Sequence, residues 1–128
     1  MKNSELQKML KAHKLWIDSN KKQGEPADFC EADLREADLR EVDLREANFY
    51  KTNFRGCDLY KTNFRGCDLR GSDLRETNLR ETDFRGSDLR ETDFRGAELY
   101  KTDFRETDLD FLVRSSLLLW RNTNYRRP

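Results

Sequence analysis

From Phe29 to Leu109 every fifth residue is Leu or Phe, and this period excludes the ordinary ways of burying a chain. The centres are Phe29, Leu34, Leu39, Leu44, Phe49, Phe54, Leu59, Phe64, Leu69, Leu74, Leu79, Phe84, Leu89, Phe94, Leu99, Phe104 and Leu109, seventeen units without an insertion. Two residues before each centre the side chain is small, from Ala27, Ala32 and Ala37 through Cys57 and Ser72 to Thr107. Asp or Asn precedes each centre, with Glu98 the exception; Arg follows in twelve units and Tyr in three (Tyr50, Tyr60, Tyr100). With 39% charged and 35% hydrophobic residues, an unpatterned chain would read as disordered. The strict placement of the apolar residues argues for a fold instead.

On an α-helix five residues turn through about 500°, so successive centres fall about 140° apart and share no face. On a flat strand an odd period sends them to alternate faces. The pattern closes if the chain turns a corner in every unit. Each unit is then one short side of a coil, with the centre and the small residue two before it pointing inward. The other three positions face outward, and stacked coils pair their backbones about 4.8 Å apart.

The unit A/T/S/C–D/N–L/F–R–E/G, repeated from about Ala27 to Asp110, resembles the pentapeptide-repeat family. That resemblance implies an all-β solenoid: a right-handed, four-sided parallel β-helix with twenty residues per coil. Seventeen units would make about four coils. The division that follows is 1–26 as N-terminal capping helix and connector, 27–110 as β-helix, and 111–128 as C-terminal cap.

Twenty-residue coils would stack Arg35, Arg55, Arg75 and Arg95 in one column and Arg45, Arg65, Arg85 and Arg105 in another. Like charges so close must be offset. Asp33, Asp73, Asp93, Glu36 and Glu76 flank the first column, and Asp43, Asp83, Asp103, Glu46 and Glu106 the second. The columns read as a solvated charge lattice or, alternatively, as a ligand-binding face. From Asp28 to Asp110 there are 22 acidic and 15 basic residues, a net of −7, while the segments before and after carry +3 and +4. No basic excess marks a phosphate-binding groove, so no direct nucleic-acid contact is expected.

Cys57 and Cys67 take the inward small position and read as core, whereas Cys30 faces outward. The three cysteines fit neither a zinc spacing nor an even disulfide framework, and a reducing, cytoplasmic setting is expected. No apolar run approaches a membrane span, and "MKNSELQKML" lacks the apolar core of a signal peptide. Inward threonines such as Thr52 and Thr62 need hydrogen-bond partners, for which corner backbone groups are expected.

A stacked coil exposes apolar ends and must be capped. "SELQKMLKAHKLWIDSN" supplies a helix from about Glu5 to Asn20, with Ser4 and Gln7 as a capping box and Leu6, Met9, Leu10, His13, Trp16 and Ile17 along one face. His13 reads as a packing residue. The register fails after Leu109, where Arg114 takes the place of a centre. Val113, Leu117 and Trp120 then fall at helical spacing behind Asp110 as N-cap, a cap that could also serve a two-fold homodimer.

One histidine and no nucleophile–base spacing leave no enzyme to assemble, and no cofactor or metal is expected. The leading reading is a non-catalytic rod that meets a protein partner as monomer or C-terminal dimer. Tyr60 and Tyr100, with Lys61 and Lys101 beside them, are the candidate contact patch, since they break the Arg column and Tyr favours interfaces. Some members of the family imitate duplex DNA and bind DNA gyrase through a strongly negative rod. The neutral total and the arginine columns depart from that pattern, which stands as the alternative. "YKTNFRGCDL" occurs twice in tandem, at Tyr50–Leu59 and Tyr60–Leu69, as in a recent duplication or a consensus-style construction.

Overall fold

The structure, a computed structural model, describes residues 1–110, 113 and 124–126. Helix α1 (Asn3–Asp18) leads into a coil that repeats every twenty residues. The register is unambiguous: parallel bridges join Asp28 to Asn48, Asp33 to Asn53, and so on to Asp88 with Asp108, always twenty apart. Between bridges the backbone ladder runs from one side of a coil to the same side of the next, as from the Phe29 N–H to the Asn48 carbonyl (2.8 Å) and from the Asn48 N–H to the Ala27 carbonyl (3.1 Å).

At every described corner but that of Leu74 the chain makes a tight turn in which the carbonyl of a centre accepts the N–H three residues on, as from Ala32 to Phe29 (2.9 Å). The third residue of that turn takes positive φ, whether Gly56 (+74°) or Glu36 (+60°). This is the left-handed region that glycine enters at no steric cost and that other residues enter at a penalty. It explains why the fifth position of the unit alternates between Gly and long, unbranched Glu or Lys.

All seventeen centres are buried, and the small residues beside them from Ala47 to Thr107 are buried too. Phe64, Phe84 and Phe104 stack nearly face to face at 5.2 and 5.5 Å, one coil apart. Phe54 and Phe94 meet that column edge-on. Offset and edge arrangements of this kind match the ring quadrupoles. The inward hydroxyls find backbone carbonyls in two ways. Thr52, Thr62, Thr82 and Thr102 donate to a carbonyl twenty-three residues back, in the coil below, at 2.6–2.7 Å. Thr77, Ser87, Thr92 and Thr107 donate to the carbonyl three residues back. Ser72 is the exception: its buried Oγ has no partner.

The expected capping box does not form. The helix starts two residues early, Lys2 is its N-cap with no side-chain bond, and Ser4 lies inside the first turn. It also stops at Asp18, because Asn20 and Lys21 turn left-handed at φ +57° and +67°. Leu6 joins the core cluster of the coil, with Met9 and Leu10 packed against it. His13 does more than pack: its Nδ1 accepts the Ala27 N–H at 2.9 Å, tying the helix to the first unit. Burial pushes the His13 pKa down, against weaker opposing pulls from the Arg45 backbone, Asp43 and Glu46. The connector closes on the helix at Gly24, φ +73°, where a Cβ would run into the Ala12 carbonyl.

At the far end Asp110 acts as expected of an N-cap, accepting the Val113 N–H at 3.1 Å, and Val113 is buried. Its other carboxylate oxygen accepts the Glu91 N–H at 2.8 Å. The terminal segment is not wholly helical, however. Strand β2 (Asn124–Arg126) pairs in parallel with β1 (Asp103–Arg105), Asp103 opposite Asn124, covering backbone that a last coil would otherwise leave unpaired. Leu117 and Trp120 lie outside the described residues.

Candidate functional site

The outward chemistry begins with the residue before each centre. Its side-chain Oδ1 accepts the N–H two residues on, as in Asp33 to Arg35 (3.1 Å) and Asn63 to Arg65 (3.0 Å). This Asx turn caps the corner, and it is the reason for Asp or Asn at that position. Where Asp precedes Arg by two, the guanidinium then closes on the same carboxylate. Nine arginines do so, with Nη2 to Oδ2 distances of 2.6–2.8 Å. Hydrogen bonds from Arg35 and Arg40 hold the carboxyls of Asp33 and Asp38 down to about 2. Such exposed pairs are individually weak but keep the columns neutral.

Three arginines follow Asn instead. Arg55 reaches Glu76 in the next coil, both contacts 3.4 Å. Arg80 bonds Asn78 Oδ1 at 3.0 Å and pairs with Glu98 at 3.4 Å, which gives the one Glu before a centre a purpose. Arg65 has neither a hydrogen bond to its guanidinium nor an ion pair among the described residues.

Of the four candidate contact residues, Tyr60 and Tyr100 share one depression, whereas Lys61 and Lys101 are not part of its lining. Tyr60, Arg80, Glu81 and Tyr100 line one shallow depression of about 290 Å³, with Arg40, Asp58 and Asn78 on its edge. The Tyr60 hydroxyl donates to Glu81 Oε2 at 3.1 Å. Arg80 lies 5.9 Å from the Tyr60 ring centroid, and Lys61 and Lys101 sit 5.4 Å from the rings of Tyr60 and Tyr100. Tyr100 is 51% exposed, the most exposed large apolar side chain described. Arg40, Arg80 and Glu81 escape a reading of the sequence that looks only for departures from Arg; their signal is the offset of twenty or twenty-one residues from Tyr60.

Among the described residues no group of His, Cys, Asp and Glu could hold a metal ion, and no helix is long and apolar enough to cross a membrane. The thiols of Cys57 and Cys67 donate inward to the carbonyls of Leu34 and Leu44, and burial pushes both up to about 12. Cys30 is exposed.

A twenty-residue register, inward Leu and Phe, and a left-handed corner in each unit define a parallel β-solenoid of five-residue sides. Residues 37–112 match the family described as a pentapeptide repeat region, and the chain belongs to that family. Solved structures agree. HetL, a pentapeptide repeat protein involved in heterocyst differentiation regulation from the cyanobacterium Nostoc sp. strain PCC 7120, is 29% identical with a TM-score of 0.63, the match covering 72% of this chain and 39% of HetL. QnrB1, a plasmid-mediated fluoroquinolone resistance protein, is 22% identical with a TM-score of 0.60, covering 70% of this chain and 42% of QnrB1. The chain therefore spans about two fifths of the length of either. No curated protein matches it.

Proposed function

We propose that this chain is a stiff, non-catalytic rod of about four coils that serves as a protein-interaction module, closed by the segment 1–26 at one end and 111–128 at the other. The observation that carries this reading is the Tyr60–Arg80–Tyr100 face. There a surface of self-neutralised Asp–Arg pairs gives way to two aromatic rings, one of them half exposed. Tyr and Arg offer large contact area and directed hydrogen bonds at low entropic cost, the composition of interface centres. Imitation of duplex DNA is the lesser reading. A phosphate-like surface needs carboxylates free to act as charge, and nine of these are closed on guanidinium groups. The likeness to QnrB1 extends only to the fold.

The test compares the Tyr60→Ala/Tyr100→Ala double variant with Tyr50→Ala in affinity purification from the native host. Loss of the co-purifying partner in the double variant alone supports the Tyr face; retention in both sinks it. Supercoiling by DNA gyrase, titrated with the chain with and without a fluoroquinolone, should be unaffected. Inhibition or protection there would replace the interaction-rod reading with DNA mimicry.

A further inference from the structure

Alone among the arginines of the coil, Arg65 has no carboxylate partner among the described residues; Arg80, which also lacks the two devices that serve the others, has Glu98 instead. The first is an Asp two residues before, which closes on nine arginines; at this place stands Asn63, whose Oδ1 is engaged by the Arg65 N–H. The second is a Glu twenty-one residues on, which serves Arg55 through Glu76; at this place stands Gly86. Both omissions fall in one spot and leave a groove. Arg45, Arg65, Gly66, Arg85 and Gly86 line a cavity of about 430 Å³ that continues to Arg105.

The charges around the groove select its occupant. Arg45, Arg85 and Arg105 are each closed on their own Asp43, Asp83 and Asp103. Glu46 turns to Lys21 at 3.1 Å, and Glu106 stands at the far end. What remains is one uncommitted guanidinium among carboxylates. A dianionic phosphate would be repelled by those neighbours, whereas a singly charged carboxylate matches the fork of the guanidinium and its single charge. We propose that Arg65 and the glycine-floored groove beside it form a seat for a single carboxylate, an Asp or Glu side chain of a protein partner.

The site lies on the column after that of Tyr60 and Tyr100, and its test uses small probes. Its failure and the failure of the Tyr-face reading are therefore separate results. The structure itself supplies the control. At sixteen corners from Glu31 to Glu106 the left-handed residue is Glu, Lys or Gly, so Gly86→Glu suits the backbone. A Cβ at Gly86 meets nothing nearer than the Gly66 nitrogen at 4.0 Å. Gly86→Glu should fill the seat from within, as Glu76 does for Arg55. Asn63→Asp should do so from the other side and guards against any local distortion in the first variant.

The measurement is the NMR signal of the Arg65 Nε–Hε group, assigned by its loss in Arg65→Lys. Sodium acetate, the peptide acetyl-Gly-Glu-Gly-amide and inorganic phosphate at pH 8 are titrated separately at matched low ionic strength. Acetate and the peptide should shift the Arg65 signal saturably while leaving Arg85 unmoved, phosphate should bind at least threefold more weakly, and both variants should lose tenfold or more in affinity. An equal response at Arg85, tighter phosphate binding, unchanged binding in both variants, or no saturable shift at all would each overturn the proposal.

Discussion

Tyr50–Leu59 and Tyr60–Leu69 are the same ten residues, yet only half of their chemistry is the same. Inward, the copies are interchangeable. Thr52 and Thr62 both donate to a carbonyl twenty-three residues back at 2.7 Å, Cys57 and Cys67 donate over the same offset at 2.7 and 3.0 Å, and Gly56 and Gly66 turn the corner at φ +74° and +68°. Outward they diverge. Arg55 has Glu76 while Arg65 faces Gly86, and Tyr60 has Glu81 while the equivalent residue for Tyr50 is Gly71. Asp68 is closed on Arg70 at 2.7 Å, but Tyr60 stands where Asp58 would find its arginine. In these two copies the inner half is indifferent to its place, although Thr82 and Thr92 of the repeated LRETDFRG choose different carbonyls; the outer half is determined by the neighbouring unit and by the coil above.

The largest test of the shared half concerns the aromatic centres. Phe64→Ala should cost about 3–5 kcal/mol in urea denaturation, the usual range for a fully buried Phe. The Phe64 ring pairs with those of Phe49, Phe54 and Phe84, whereas the Phe54 ring pairs with those of Phe49 and Phe64. Phe54→Ala should therefore cost less by about one aromatic pair, ~1 kcal/mol. Equal costs would mean that position along the coil, rather than ring contact, sets core stability. Next, Thr52→Val and Thr62→Val should each cost about 0.5–1.5 kcal/mol by removing one of the two hydrogen bonds that the Phe29 and Leu39 carbonyls accept, and the two values should agree within about 0.5 kcal/mol. A clear inequality there would break the claim that the inner half is indifferent to its place.

The same division marks what could be read in advance. The inward pair and the corner follow from the five-residue period, because no straight element can bury it, and Phe64 or Thr62 needs no knowledge of its neighbours to be placed. The Asx turn did not announce itself: Asp33 reads as surface charge until the corner geometry brings its Oδ1 to the Arg35 N–H. Five corner glycines, Gly56, Gly66, Gly71, Gly86 and Gly96, were a signal for positive φ at that position. Arg65 looked like one more arginine in a column, since its isolation depends on residues at two different distances along the chain. Ser4 misled because a capping box is a local pattern, and the helix begins at Asn3 instead. The pairing of β2 with β1 was hidden behind the apolar run that precedes it.

A smaller effect separates the copies by pH. A hydrogen bond from Arg70 holds the Asp68 carboxyl below its ordinary range. Its folded pKa is thus lower than its unfolded value near 4, so the stabilisation is complete above about pH 4 and is lost as pH falls through the folded pKa. Arg70→Leu should bring the Asp68 titration, followed by carboxyl carbon NMR, back toward the ordinary range and shrink the acid-side loss of stability. An unmoved titration would mean that the backbone N–H of residue 70, and not the guanidinium, holds the carboxylate.

The smallest expected effect isolates the rule of twenty-one. Tyr60→Phe removes only the hydroxyl bond to Glu81, an exposed contact, and should cost about 0.5 kcal/mol or less. Tyr50→Phe should cost nothing measurable, because the Tyr50 hydroxyl has no hydrogen bond among the described residues and its ring already packs against Arg70 at 5.1 Å. Gly71→Glu would then supply the missing carboxylate at a corner where φ is +69° and the nearest atom to a new Cβ, the Lys51 Cγ at 3.2 Å, belongs to a flexible side chain. In that background Tyr50→Phe should acquire the penalty that Tyr60→Phe shows in the native chain. If it does, the tyrosine face is a product of coil register and can be moved from one side of the rod to the next. If the penalty stays at Tyr60 alone, a carboxylate twenty-one residues on is not sufficient to build the face, and Arg80 is not the difference either, since Arg70 already lies against the Tyr50 ring as Arg80 does against that of Tyr60.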